Sequence, residues 1–583
     1  MAVSVTLDVR SPETHLVHVT QRFPAAPHER RFRMPAWAPG SYKIRDYGRN
    51  VQELEARVAG RKAKVDQVGK DEWVVAGSAG KAVELRFAVY ARDLTVQGSH
   101  VTADHAHLFP VTLLLYDAAS RRQPHRVRVL APRGWRLWSG LEGQRLDGRL
   151  ADAADYDHLL DCPIECGPPA DYHVERFAVR GKPHRFVAWK GPAEADWPAI
   201  ARSVRRVVEE AARIFGGVPY AHYTFLAHVA AGHGGGLEHR NSTVLGLDPL
   251  SLASPQKVEE NLLPLVAHEF FHTWNVKRIL PAAFQPYDLQ EEAYTKLLWL
   301  FEGFTSYYEL PLLARAGVQS EDAWKKTAAE MVEAYEKAIG RKRRSVAEAS
   351  RLTWTLLYQP HEHNVNRNVS YYTKGMWVAL CLDAELRRRR VKGGLDVVMA
   401  FAWRKHGKTG VGLTEDAFPD LVEQATGVNL RAKLAAWIEG TQDLPIAQAF
   451  RTLGWDLKLE GKDPKRPNGF GIEFRKGPGA TNAQIERIRE DVPAWKVLQP
   501  DDELVAAFGY KWSAEAFGDW AAKRKPGQAV AVTVFREGRL RTFDVPLVAL
   551  PKDKATLKPR KGAAATRARK AWLGAGFKPK PQP

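Results

Sequence analysis

Over the first part of the chain, apolar positions recur at every second residue. Val3, Val5, Leu7 and Val9 alternate with polar neighbours, as do Val83, Leu85, Phe87 and Val89. A period of two is that of strands with one buried face. Residues 34–51 (MPAWAPGSYKIRDYGRNV) turn at Pro39-Gly40 and lack a helical repeat, so they read as a turn-rich connection. Residues 1–170 are therefore expected to form an antiparallel β domain.

Near residue 195 the period changes. Ile200, Val204, Val207, Val208, Ala211 and Ile214 recur at helical spacing until Gly216-Gly217 stops them. A strand is expected over 223–230, then the glycine-rich stretch AGHGGGLEHRNS. Helices are expected at 254–275, 291–314, 321–338, 371–389 and 414–439, which makes 171–450 a mostly helical domain. Residues 455–550 read as a compact α+β module, with a strand pair turned at Glu537-Gly538.

Composition narrows the class. The chain has 583 residues, 45% apolar and 10% aromatic with 18 Trp, far from a disordered composition. Three cysteines cannot build a disulfide framework. No run approaches 18 apolar residues and the first twenty residues lack the pattern of a secretory signal, so a cytoplasmic protein is expected. The net charge is +19, from 86 basic and 67 acidic residues. Residues 551–583 carry ten Lys/Arg against one Asp, about nine of those charges, and read as a basic, disordered tail. Charge gathered in a tail without a base-reading motif argues against specific nucleic-acid binding.

The densest chemistry lies in LLPLVAHEFFHTWNVKRI. Ser254-Pro255 opens this segment as cap and first-turn proline, and Val258, Leu262, Leu265, Val266 and Phe270 give it an apolar face. On such a helix His268 and His272, four residues apart, project from one face and can share a zinc ion, with Glu269 beside it as general base. Two core histidines would share the same spacing, so a third ligand decides the matter. Glu302, in the aromatic helix WLFEGFTSYY, is costly to bury without a cation. Glu291 is the alternative, closer in sequence but in a polar stretch.

Gly234, Gly235 and Gly236 let a backbone come close to a ligand, and an exposed strand edge there can pair with an extended peptide whose ammonium group Glu238 would hold. Tyr372, in SYYTKG, can donate to an oxyanion. A tight turn and aromatic packing are the plainer readings of these two stretches.

Together, HEFFHTWN, WLFEGFTSYY, GGGLEH and YYTKG resemble gluzincin aminopeptidases in order. With APGSYKIRDYGRNV, HTWNVKR and a C-terminal module similar to a PDZ domain, the chain resembles the glycyl aminopeptidase family of PDZ-containing zinc metallopeptidases over most of residues 1–550. The resemblance implies a thermolysin-like catalytic domain with one Zn²⁺ held by His268, His272 and Glu302. It implies Glu269 as base, Tyr372 as transition-state stabiliser, and Glu238 with Gly235 and Gly236 as the substrate-binding edge. Peptides with a free N-terminal glycine or alanine would be the substrates. The chain departs from related aminopeptidases in Leu237-Glu238-His239, where Met-Glu-Asn is usual, and in the longer gap before Glu302. GFGIEF (469–474) resembles a PDZ carboxylate-binding loop, but Val497-Leu498 and Asp501 depart from the pattern, leaving a peptide ligand and plain packing both open. A zinc endopeptidase with the same metal site and a non-catalytic PDZ scaffold are the alternative functions.

Overall fold

The computed structural model describes residues 2–141, 149–475, 483–574 and 576–577. The alternating N-terminal segments form a seven-stranded sheet. In chain order its strands are β1 (Val3–Asp8), β2 (Leu16–Phe23), β3 (Val51–Val58), β4 (Arg61–Ala63), β5 (Val83–Tyr90), β8 (His125–Leu130) and β10 (Arg149–Ala153). Their spatial order is β10-β8-β1-β2-β5-β3-β4. A four-stranded sheet beside it is ordered β9-β11-β7-β6, from β6 (His100–Thr102), β7 (His105–Leu108), β9 (Arg136–Ser139) and β11 (Ile164–Gly167). The expected antiparallel domain needs one correction: β1 and β8 run parallel, with Val3 opposite His125 and Asp8 opposite Leu130. Alternation tells which face a residue takes but not which way its neighbour runs.

Residues 172–247 form a five-stranded mixed sheet, of which the sequence pattern revealed one strand. Its members are β12 (Tyr172–Val179), β13 (Lys182–Trp189), β14 (Tyr223–Val229), β15 (Gly236–Glu238) and β16 (Ser242–Leu247), in the order β12-β13-β14-β16-β15. Its central strands are buried on both faces. Val187, Leu226 and Val244 enter the core of the N-terminal sheets, whereas Phe186, Phe225 and Leu245 enter the core of the helices. Strands covered on both sides lose the alternation that would announce them.

The helices pack on the second face: α1 (Trp197–Phe215), α2 (Leu263–Phe271), α3 (Leu298–Ala316), α4 (Glu321–Lys337) and α5 (Tyr371–Arg388). The Ser254 side chain caps the segment before α2, and one π-turn (Val258–Leu262) leads into it. Helix α3 begins at Leu298 rather than 291, because 291–297 is an irregular polar stretch with Glu291 exposed. The segment expected as one helix at 414–439 is two, Phe418–Thr426 and Arg431–Ile438, separated at Gly427, whose φ of 71° ends the first. Helices α3 and α5 cross with their backbones touching: a Cβ on Gly303 would lie 2.4 Å from Gly375 Cα. That crossing sets Glu302 beside the first turn of α5.

A third core, which includes Phe470, Ile485, Leu504, Phe517, Val532 and Val545, belongs to the α+β module. Its strands Ala529–Arg536 and Arg539–Pro546 form the expected hairpin at Glu537-Gly538. The disordered tail is overturned. Lys554–Pro559 pairs antiparallel with Trp455–Glu460, bringing Lys554 opposite Glu460, and Ala563–Leu573 is a helix. The tail's charges alternate with residues that anchor it: Ala555, Leu557, Trp572 and Leu573 are buried, and Trp572 Nε1 donates to the Tyr307 hydroxyl at 2.8 Å. Net charge conceals such spacing. The last residues of the expected tail, 578–583, lie outside the described residues. Among the described residues no helix is long and apolar enough to cross a membrane.

Trp572 packs against Trp324 and Phe450 in the main core. Replacing it by Ala is expected to cost about 3–5 kcal/mol of stability, read as a lowered urea midpoint.

Candidate active site

Helix α2 ends on His268-Glu269-Phe270-Phe271, with His272 at its C-terminus. Phe270 and Phe271 are fully buried against Tyr223 and Tyr308, which fixes the helix's rotation and turns both histidines toward α3. His268 Nε2 lies 3.5 Å and His272 Nε2 3.2 Å from the same Glu302 oxygen. Ligand atoms about 2.0–2.1 Å from a tetrahedral ion stand about 3.3–3.4 Å apart, so these three atoms fit the edges of such a site. Glu291, the alternative third ligand, is exposed and outside the group.

Each imidazole is oriented from behind. His268 Nδ1 donates to Glu309 Oε1 at 2.8 Å and His272 Nδ1 to the Asn275 carbonyl at 2.7 Å, leaving both Nε2 atoms as donors to a metal. Asn275 is itself anchored, its Nδ2 donating to the carbonyls of Leu300 and Phe301 and to Thr305 Oγ1. The sequence reading missed Glu309 and Asn275. A signal existed for the first: Glu309 lies two helical turns after Glu302, on the same face of α3.

Glu238, Glu269 and His272 form a second triplet whose ligand atoms lie within 4.8 Å of one another. Glu238 Oε1 and Glu269 Oε2 are buried with no hydrogen-bond partner among the described residues. Burial first, then Glu238 and Glu302, push the Glu269 carboxyl up to about 7 against the pull of both histidines. Burial opposes the charged form of His268, but its hydrogen bonds to Glu302 and Glu309 hold it well above the usual value. Three carboxylates around two imidazoles make a site that attracts positive charge, as a divalent cation requires.

Strand β15 places the glycines. It is the edge strand of its sheet, and Gly236 lies so close to Glu269 that a Cβ would sit 2.3 Å from Oε1. Gly235, at φ 84°, makes the turn into it. Behind Glu238, Asp161 binds Lys277 at 2.7 Å, His239 Nδ1 at 3.0 Å and the Arg240 amide at 2.8 Å, tying the GLEH and NVKR stretches together. The Tyr372 ring stacks on His268 with centroids 6.1 Å apart and is only partly buried, so it stands at the open side of the site.

A second cluster of metal-binding side chains lies between the N-terminal domain and the five-stranded sheet. The Glu165 carboxylate accepts from His105 Nε2 at 2.5 Å, His228 Nε2 at 2.9 Å, His107 Nδ1 at 3.1 Å and the Tyr172 hydroxyl at 2.8 Å. Only donors can face an ionised carboxylate, so His105 carries its proton on Nε2 and its Nδ1 accepts from His100 at 3.0 Å. These spacings are shorter than the edges of a zinc tetrahedron, and shared protons account for every one of them. The cluster is a hydrogen-bonded joint between β7, β11 and β14.

Two outcomes are expected. Glu309→Ala should weaken divalent-metal binding about 10–100-fold, measured by chelator competition, with the circular dichroism unchanged. Burial holds His100 down to about 3 and His107 down to about 4, so the native state stays neutral where unfolded histidines, near 6.5, take up protons. The joint's contribution is complete above about pH 6.5 and declines toward pH 4. The urea midpoint should fall across that window, and less steeply in His107→Gln.

The chain is similar to known proteins in sequence and in fold. The model of the M61 peptidase N-terminal domain matches residues 4–168, and that of the M61 glycyl aminopeptidase matches residues 261–378. The crystal structure of the aminopeptidase N family protein from Idiomarina loihiensis is 28% identical, with a TM-score of 0.90 over 98% of this chain and 100% of its own. An M1 zinc metallopeptidase from Deinococcus radiodurans is 15% identical, with a TM-score of 0.48 over 76% of this chain and 95% of its own. No curated protein matches the chain. The two family matches, which together take in the turn-rich N-terminal loop, both histidines and Glu302, make the chain a metallopeptidase similar to the M61 glycyl aminopeptidases over those residues.

Proposed function

We propose that this chain is a zinc aminopeptidase that removes small N-terminal residues, glycine first, from peptides with a free amino terminus. The observation that carries the reading is the pairing of two sets of groups about His272: His268 and Glu302 on one side, and Glu238 with Glu269 on the other. Zinc held by His268, His272 and Glu302 would supply Lewis acidity, lowering the pKa of water and polarising a carbonyl.

The chain's own residues do the rest. The unpartnered Glu238 Oε1 accepts from the substrate's α-ammonium and fixes the chain end, so that one residue is released at a time. The peptide lies along the free edge of β15, where Gly235 and Gly236 leave room for its backbone. Glu269 Oε2 takes a proton from the attacking water and delivers it to the leaving amine. Tyr372 donates its hydroxyl proton as a hydrogen bond to the oxyanion of the tetrahedral intermediate. In this reading 171–450 is the thermolysin-like catalytic unit. The module of 455–550 is PDZ-like, with Gly469 and Phe470 leading into the strand Ile472–Phe474 as a candidate carboxylate loop.

A glycyl anilide and its N-acetylated twin test the reading. The zinc-loaded protein should cleave only the free amine, and Glu269→Gln should lose about 10²–10⁴-fold in kcat while retaining zinc. Equal cleavage of the acetylated substrate would identify an endopeptidase, and an inert zinc-loaded protein would remove the enzymatic reading.

A further inference from the structure

A loop of the N-terminal domain reaches Glu238. Ala36 N donates to the Leu289 carbonyl at 2.7 Å and Trp37 Nε1 to the Asp288 carbonyl at 2.8 Å, pinning residues 36–42 to the segment before α3. Gly40, at φ 98°, lies directly on Glu238: a Cβ there would be 2.6 Å from Oε1 and 2.8 Å from Oε2. Two residues on, Tyr42 is 1% exposed and its hydroxyl has no hydrogen-bond partner among the described residues. Burial is the main reason its phenol is held well above 10, and Glu302 and Glu238 are the charges that add most to it, which sets the hydroxyl in the field of both carboxylates.

The Tyr42 ring is enclosed. Phe284 stacks on it at 5.9 Å, Trp354 and Tyr358 meet it edge-on at 5.8 and 5.9 Å, and Trp37 backs Trp354 at 5.1 Å. A hydroxyl buried in such a place is costly unless something pairs with it. Glu238 and His272 offer ligand atoms within 4.8 Å of each other, so an amino-terminal residue held by Glu238 would lie close to a metal held by His272. The first α-carbon of a peptide held there lies beside Glu238, which Gly40 touches two residues before Tyr42.

We propose that Tyr42 is a substrate-contacting and specificity-determining residue: its hydroxyl oxygen accepts from the substrate's α-ammonium beside Glu238, and its immobilised ring leaves room for a hydrogen or methyl on the first α-carbon but not for a branched side chain. This rests on the aminopeptidase reading above and adds to it the residue, supplied by the other domain, that limits the side chain.

The test is calorimetric binding of glycine, leucine and N-acetylglycine hydroxamates to the zinc-loaded full chain, which needs no turnover. Wild type should bind the glycine compound at least tenfold more tightly than the leucine compound. Tyr42→Leu should shrink that ratio at least tenfold. Tyr42→Phe, which keeps the ring, should preserve the ratio but weaken glycine hydroxamate about tenfold. A ratio within twofold of wild type in a folded Tyr42→Leu overturns the wall. If that variant does not fold, a loss below twofold in Tyr42→Phe overturns the contact. Equal binding of free and acetylated glycine hydroxamate by wild type would instead sink the aminopeptidase reading, and the leucine ratio would still decide the wall.

Discussion

Carboxylates do not sit unpaired in an apolar core, and this chain buries Glu238, Glu269 and Glu302 there beside two imidazoles. Most of the catalytic domain's construction follows from that demand. The helix crossing at Gly303 and Gly375 brings Glu302 to the histidines, and Glu309 and Asn275 take up the remaining imidazole protons. Asp161 and Lys277 neutralise each other behind Glu238. One oxygen each on Glu238 and Glu269 stays unpaired among the described residues.

How much of this could be read beforehand depended on whether a residue's role has a fixed spacing. His268 and His272 have one, because four residues on a helix share a face; Glu302 was legible through the cost of burying it among Trp299, Phe301 and Phe304. Asn275 and Tyr42 have none. Their partners are fixed by how loops fold back, and nothing in HTWN or GSYK states a distance. Strands β13 and β16 were hidden because both faces are covered, and the parallel pairing of β1 with β8 because alternation carries no direction. The C-terminal segment was misread for a related reason: lysines and arginines were summed, whereas Ala555, Leu557 and Trp572 hold their places by position.

Two of the contacts between the domains answer to different chemistry. At the Glu165 joint, four donors converge on one carboxylate, and burial lowers His105 and His107 there. At the 36–42 loop the contact is aromatic, with Trp37 and Tyr42 set among Tyr287, Trp354 and Phe284. The polar joint ties the sheets together, and the loop brings Gly40 against Glu238.

The pairing of Trp455–Glu460 with Lys554–Pro559 changes how the α+β module should be pictured. Because Glu460 stands opposite Lys554, everything between them leaves and re-enters the main body at one place, so the module is an insert into a hairpin rather than an appendage on a single thread. Two tethers rooted together forbid free tumbling and keep any cargo of the module at high local concentration near one side of the enzyme. That side is already chosen: Asn366 Nδ2 donates to the Ile488 carbonyl, and the Glu490 amide donates back to Asn366 Oδ1. Asn366 lies four residues before the cap of the helix that carries Tyr372, so the insert is docked next to the start of that helix.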